Sequence, residues 1–134
     1  MVSVKLLDTN VWIQLIKGRN RSLVDLWRSC SAEQLAVCSV VKGELWFGAT
    51  KYEDPEGRFK TLDFWLTPYV SYPFDDEAAW HYSKLRHLLE RQGNIIGPND
   101  LKIASICLAH DLTLVTGNVD EFRRVPGLKL ENWS

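Results

Sequence analysis

Val4-Lys5-Leu6-Leu7-Asp8-Thr9-Asn10 decides how the rest of the chain reads: a run of strand length ends in an acid and passes into helical periodicity. Near the other end, Thr113-Leu114-Val115-Thr116-Gly117-Asn118 repeats the arrangement, a buried-strand run followed by a polar turn. Two more strand-like runs, residues 35–39 and 69–73, alternate with helical segments. That alternation predicts an α/β/α domain of three layers, with a central, mainly parallel sheet of four or five strands. In such open sheets ligands bind beyond the carboxyl ends of the strands, where Asp8 and Asn118 fall.

Working outward, the first helix is expected over residues 10–17, with Trp12, Ile13 and Ile16 near one face, before a turn at Gly18-Arg19-Asn20-Arg21-Ser22 and a second helix to about residue 29. Ser39 reads as the N-cap of a helix carrying Val41, Leu45 and Gly48. Asp54-Pro55-Glu56-Gly57 separates it from a helix with Phe59, Leu62 and Trp65. From Asp75, the residues Ala78, Tyr82, Leu85 and Leu89 recur at helical spacing up to a stop at Gly93-Asn94. Pro98 fits the first turn of a deeply packed helix through Leu101, Ile103, Ala104, Ile106 and Leu108. The end of the chain, Pro126 to Ser134, is expected to add an edge strand around Leu128 to Leu130.

The chain has 134 residues, 46% hydrophobic and 25% charged, which fits one domain over 1–134 with a sizeable core. A formal net charge of -1 gives no global field for gathering nucleic acid, so any RNA surface must be local. Cys30, Cys38 and Cys107 are odd in number and lack a C-x-x-C pair, which predicts reduced, mostly buried thiols. The start lacks a signal-peptide layout and no apolar run approaches the roughly 20 residues of a membrane span, so a cytoplasmic protein without membrane contact is expected.

The chemistry-bearing segments are acidic or amide-rich: Asp8-Thr9-Asn10, Ser39 to Glu44, Asn99-Asp100 and Asn118 to Glu121. Singly, each acid has a bland reading, since Asp8 suits a helix cap, Glu44 a solvated helix face and Asp100 the positive end of its helix. Jointly they suit Mg²⁺, which prefers oxygen ligands, keeps several waters and accepts one or two carboxylates plus a substrate phosphate. Without a cation, three converging carboxylates would raise at least one pKa and cost stability.

His81, His87 and His110 lack metal-ligand spacing and read as packing or surface groups. Lys17, Arg19, Arg21 and Arg28, with Lys42, Arg123 and Arg124, are candidates for phosphate contacts, although a solvated surface is the ordinary role of such residues. Trp12, Trp46 and Trp65 offer rings for base stacking, against the commoner use of tryptophan in packing.

Leu6-Leu7-Asp8-Thr9-Asn10, Ser39-x-x-x-x-Glu44-Leu45, Asn99-Asp100-x-x-Ile103-Ala104 and Leu114-Val115-Thr116-x-Asn118 together resemble a PIN domain of the VapC toxin type, over nearly the whole chain. The closing Val125-Pro126-Gly127-Leu128 to Glu131-Asn132-Trp133 is also similar to VapC proteins. This resemblance implies the toxin of a type II toxin–antitoxin system, an endoribonuclease in which Asp8, Glu44 and Asp100 hold Mg²⁺ or Mn²⁺ and water attacks the phosphodiester, leaving 5′-phosphate and 3′-hydroxyl ends. Thr9, Asn10, Ser39, Asn99 and Thr116 would support these acids.

Where many PIN domains place Asp two residues after the strand Thr, this chain has Asn118, and Asp120 or Glu121 would restore the fourth acid. Similarity to an Asn-x-x-Glu-Phe form favours Glu121 and suggests initiator tRNA, cut in the anticodon stem-loop, within a broader tRNA substrate class. The resemblance also implies a VapB antitoxin, presenting a basic side chain to the acidic groove, and a toxin homodimer. Two other readings compete: a degenerate PIN module that binds RNA or protein without cutting, suggested by Asn118, and a receiver-like phosphoacceptor built on Asp8.

Overall fold

The computed structural model describes residues 3–134; Met1 and Val2, part of the start read above for a signal peptide, lie outside the described residues. Its centre is a five-stranded, wholly parallel sheet in the order β3-β2-β1-β4-β5. The strands are β1 (Lys5–Leu7), β2 (Leu35–Cys38), β3 (Val70–Tyr72), β4 (Thr113–Val115) and β5 (Lys129–Glu131). The helices are α1 (Thr9–Lys17), α2 (Arg21–Arg28), α3 (Ser39–Ala49), α4 (Pro55–Leu66), α5 (Asp76–Gln92), α6 (Pro98–His110) and α7 (Val119–Phe122).

The chain moves outward from β1 to β2 to β3, then returns across the sheet to β4 and β5. With right-handed crossovers, the outward path lays α1 to α4 over one face and the return path lays α5 to α7 over the other. This gives the three layers and sets the reversal point at β1, flanked by β2 and β4. β2 and β4 are buried throughout, as strands covered on both faces must be, whereas β3 and β5 are partly exposed edges.

Local chemistry sets the ends of the helices. Asn20 caps α2 by accepting the Leu23 N–H at 3.1 Å, and Asp75 caps α5 by accepting that of Ala78 at 2.9 Å. Gly18 and Gly93 close α1 and α5 with φ of 68° and 69°, a backbone shape that L side chains resist. Ser39 departs from expectation: Cys38 is the N-cap of α3 and Ser39 is its first helical residue. The Ser39 hydroxyl instead accepts the Phe74 N–H at 3.1 Å, tying the start of α3 to the loop after β3. The 3-10 turn Ala32–Gln34 and the short α7 carry too few apolar residues to show periodicity in sequence.

Candidate active site

Four carboxylates from four elements converge beyond the carboxyl ends of β1 and β4. Asp8, directly after β1, is the N-cap of α1 and only 8% exposed. Its Oδ1 accepts the Thr9 backbone N–H at 2.8 Å and its Oδ2 accepts the Thr116 hydroxyl at 2.8 Å. The Asp8 backbone N–H donates to the Val115 carbonyl at 2.9 Å, so pairing of β1 with β4 sets the position of the acid. Thr116, itself buried, accepts the Asn118 N–H at 3.0 Å. The Thr9 hydroxyl donates to Glu44 Oε1 at 2.6 Å, and Asn99 Nδ2 reaches Glu44 Oε2 at 3.5 Å. Glu44 of α3 is thereby held from both α1 and α6.

Asp100 in the first turn of α6 and Glu121 in α7 form the other half. Glu121 Oε1 accepts the Gly97 N–H at 2.9 Å, and its Oε2 accepts from the Asn118 side-chain amide. A Cβ on Gly97 would stand 3.8 Å from Glu121 Oε1 and 3.9 Å from Asp100 Oδ2, so the two acids close over the bare backbone of this glycine. Asn118 thus serves Glu121 as a hydrogen-bond donor, which its replacement of a fourth Asp makes chemically sensible.

Crowding shows in the protonation of the group. Burial raises the Asp8 pKa above the usual carboxylate range, with Glu44 and Glu121 adding repulsion and the bonds from Thr116 and Thr9 opposing. Asp100 is pushed up to about 7, first by burial, then by its hydrogen bond to Glu121 and by the charges of Asp8, Glu121 and Glu44. Glu121 moves the other way, lowered chiefly by the Gly97 N–H. Of this pair, Asp100 holds a proton more readily and Glu121 ionises first.

Among the described residues, no group of three or more His, Cys, Asp and Glu side chains is already arranged to hold a metal ion. The donor set nevertheless suits a hard divalent cation: it is all oxygen, it is crowded enough to raise two of its pKa values, and Mg²⁺ needs only one or two direct carboxylates.

The raised Asp100 contributes stability that is fully present below its ordinary pKa of 3.8 and lost as pH rises through about 7. The shift corresponds to at most about 4 kcal/mol, reduced by solvent at this half-buried group to roughly 1–2 kcal/mol. In chelator, the melting temperature should fall between pH 4.5 and pH 7.5, and the fall should shrink in Asp100→Asn. A flat profile shared by both proteins would contradict the crowding.

Other expected residues lie apart. Asp120 points to solvent, its side chain 93% exposed and paired with Arg123 at 3.3 Å, so Glu121 is the acid of this turn that faces the cluster. Asn10 is exposed, with no side-chain hydrogen bond to the carboxylates among the described residues, and the Ser39 hydroxyl is engaged with Phe74. Arg19, Arg21 and Arg28 line a separate cleft of about 530 Å³. Arg124 donates to the Ile95 carbonyl at 2.9 Å, close enough for its charge to favour ionised Glu121.

Trp12 belongs to the core, Trp65 packs on Trp27 with ring centres 5.2 Å apart, and Trp46 lines a cleft with Phe59 and Lys60. His110 faces Asp75 at 3.4 Å and Tyr72, His81 is half-buried and His87 is exposed. All three cysteines are free, and burial pushes the Cys38 thiol up to about 11. Sequence reading missed Gly97, whose only signal was its place just before Pro98-Asn99-Asp100.

A parallel α/β/α sheet with acids gathered where its strand order reverses, matched over residues 5–128 by the family model for the PIN domain, defines a PIN-domain nuclease. The chain is similar to the protein named Ribonuclease VapC2 of Rickettsia felis, 37% identical over 131 residues, which span 97% of this chain and 98% of that one. It is 34% identical over 129 residues to the tRNA(fMet)-specific endonuclease VapC of Shigella flexneri, 96% of this chain and 97% of that one. Its fold matches the crystal structure of DNA-bound VapBC from Salmonella typhimurium with a TM-score of 0.91 at 30% identity, covering 98% of this chain and 99% of that chain. The chain belongs to the VapC family of ribonuclease toxins, and its activity is that of an endoribonuclease, a hydrolase of phosphodiester bonds.

No helix among the described residues is long and apolar enough to cross a membrane.

Proposed function

We propose that this chain, acting as one PIN unit, inhibits translation by cutting structured RNA in a divalent-metal-dependent reaction, with tRNA as the substrate class and the anticodon stem-loop of initiator tRNA as the narrower target. The observation that carries the metal dependence is the convergence of Asp8, Glu44, Asp100 and Glu121, with two of the four driven toward protonation. The relatives named for tRNA(fMet) support the substrate.

Asp8, Glu44 and Asp100 would hold Mg²⁺, with Mn²⁺ as the other fitting ion, and Glu121 and Asn118 stand at the edge of the set. When bound, the ion supplies charge for the scissile phosphate and an activated water. Thr116 and Thr9 fix the oxygens of Asp8 and Glu44, so each carboxylate keeps one orientation. Asp100 must release its proton before it can act as an anionic ligand, so cation binding at neutral pH should liberate protons.

The partner we assign is a VapB-type antitoxin that lays an Arg or Lys into the acidic groove, supported by the VapBC complexes among the similar structures. A toxin homodimer belongs to the same reading, and Val70 and Trp80, each more than half exposed, offer apolar surface for it. Sedimentation as a strict monomer at working concentration would remove the dimer.

The test incubates antitoxin-free protein with total tRNA in Mg²⁺ or Mn²⁺, beside a chelator control, and maps the product ends. Discrete cuts carrying 5′-phosphate and lost in chelator are expected. Intact tRNA with folded protein would turn the reading to another RNA, and cyclic-phosphate ends would overturn the hydrolytic route.

A further inference from the structure

We propose that the cleft between α3 and α6, beside Glu44, is a nucleobase subsite for the RNA substrate, with Phe47 as its stacking platform and Lys102 as its phosphate contact. The inference rests on the ribonuclease reading above. Val40, Gly43, Glu44 and Phe47 share one face of α3 at helical spacing, and with Asn99 and Lys102 of α6 they line a cleft of about 350 Å³. Glu44 and Asn99 belong to both places: their side chains meet at 3.5 Å, and the Glu44 carboxylate is also bound to Thr9 in the acidic pocket. RNA whose scissile phosphate lies at the carboxylates therefore meets this cleft next.

The lining suits a nucleotide. Phe47 is 64% exposed while Val41, Leu45 and Ala49 of its helix are buried, so packing does not account for a ring at this position. Lys51 lies over one face of that ring with its ammonium 4.4 Å from the centre, so a stacked base takes the other face or displaces this lysine. Every base has a face to stack, so an aromatic platform accepts bases without needing their sequence. A Cβ on Gly43 would meet nothing within 4 Å, which leaves the wall between Phe47 and Glu44 clear. Lys102 has no ion-pair partner among the described residues and can meet a backbone phosphate. The rings that the sequence offered do not reach this place, since Trp12 is in the core and Trp46 and Trp65 lie on other contacts.

The test measures the affinity of end-labelled total tRNA in Mg²⁺ for Asp8→Asn protein, chosen because it should fold and not cut, alone and combined with Phe47→Ala, Phe47→Trp, Lys102→Ala or Phe64→Ala. Phe47→Ala should weaken binding about tenfold, with Phe47→Trp restoring it. Lys102→Ala should reduce the salt slope of log K by about one. Phe64, on α4 and 79% exposed, is the control for a general loss of apolar surface and should not matter.

Equal affinities for the Phe47→Ala and Phe64→Ala proteins would overturn the subsite. So would unchanged RNA affinity with an altered sedimentation coefficient, which would give this face to a contact between copies. If Asp8→Asn itself binds no tRNA, the tRNA reading fails and the subsite fails with it. Binding by the parent but indifference to Phe47 defeats the subsite alone.

Discussion

Asp8→Asn is expected to lose RNA cleavage by about 10³-fold, yet to melt at or above the wild-type temperature in chelator. An ion clamped at a phosphate contributes several kcal/mol of transition-state stabilisation, and each factor of ten in rate is about 1.4 kcal/mol. Asn keeps the local structure because it caps helices as well as Asp does. Its carbonyl oxygen can take the Thr9 N–H, and its amide can donate to Thr116 Oγ1, reversing the bond that the hydroxyl now makes to Asp8. What disappears is a buried charge already crowded by Glu44 and Glu121. Asp100→Asn should behave alike, since burial and three neighbouring carboxylates act on Asp100. Cleavage assays on both variants, paired with melts in EDTA, check this. Full activity in Asp8→Asn would remove Asp8 from the reaction, and a large loss of stability would show that its role is structural.

The largest stability loss is expected at Trp12, where Trp12→Ala should cost about 3–5 kcal/mol. Trp12 is fully buried one turn into α1, and its backbone N–H donates to the Asp8 carbonyl at 3.2 Å. Its ring rests on Tyr69 with centres 5.1 Å apart, and the Tyr69 hydroxyl accepts the Trp27 indole N–H at 3.0 Å. A void at Trp12 therefore loosens α1, α2 and the approach to β3 together. Trp12→Phe should cost far less, because the Trp12 indole N–H has no partner among the described residues and its removal breaks no hydrogen bond. Urea unfolding in chelator, compared at the transition midpoints, separates the two. Equal midpoints for Trp12→Ala and wild type would mean that the pocket closes around the missing ring.

The sheet was legible because its strands carry their own signal. Leu35-Ala36-Val37-Cys38 and Thr113-Leu114-Val115 are apolar runs too short for helices, and caps such as Asp75 and Gly93 mark where the helices between begin and end. β5 was expected near its true place because Pro126-Gly127 punctuates the chain before it.

The acids were legible as types and positions, but the bonds that orient them were not. Ser39 shows the limit, since a serine before a helix reads as a cap or a pocket group until the Phe74 N–H, 35 residues away, claims its hydroxyl. Asp120 and Glu121 are adjacent acids, and only the turn geometry of α7 sends one to Arg123 and the other to Gly97. Phe47 was hidden for the same reason, because whether an apolar helix residue faces the core or a cleft depends on what packs above it.

The strand that completes the pocket is made long after the strand it pairs with. β4 pairs directly with β1 although more than a hundred residues separate them, and the Thr116 hydroxyl just beyond it holds Asp8. A ribosome that has read through residue 112 has produced Asp8, Glu44 and Asp100, but β1 then has no partner on one edge, and Thr116, Asn118 and Glu121 do not yet exist. Chains fold from the N-terminus as they emerge, so in a nascent chain the pocket waits for β4 to reach β1. A chain released before β4 lacks both the pairing that positions Asp8 and the Thr116 hydroxyl that holds its carboxylate.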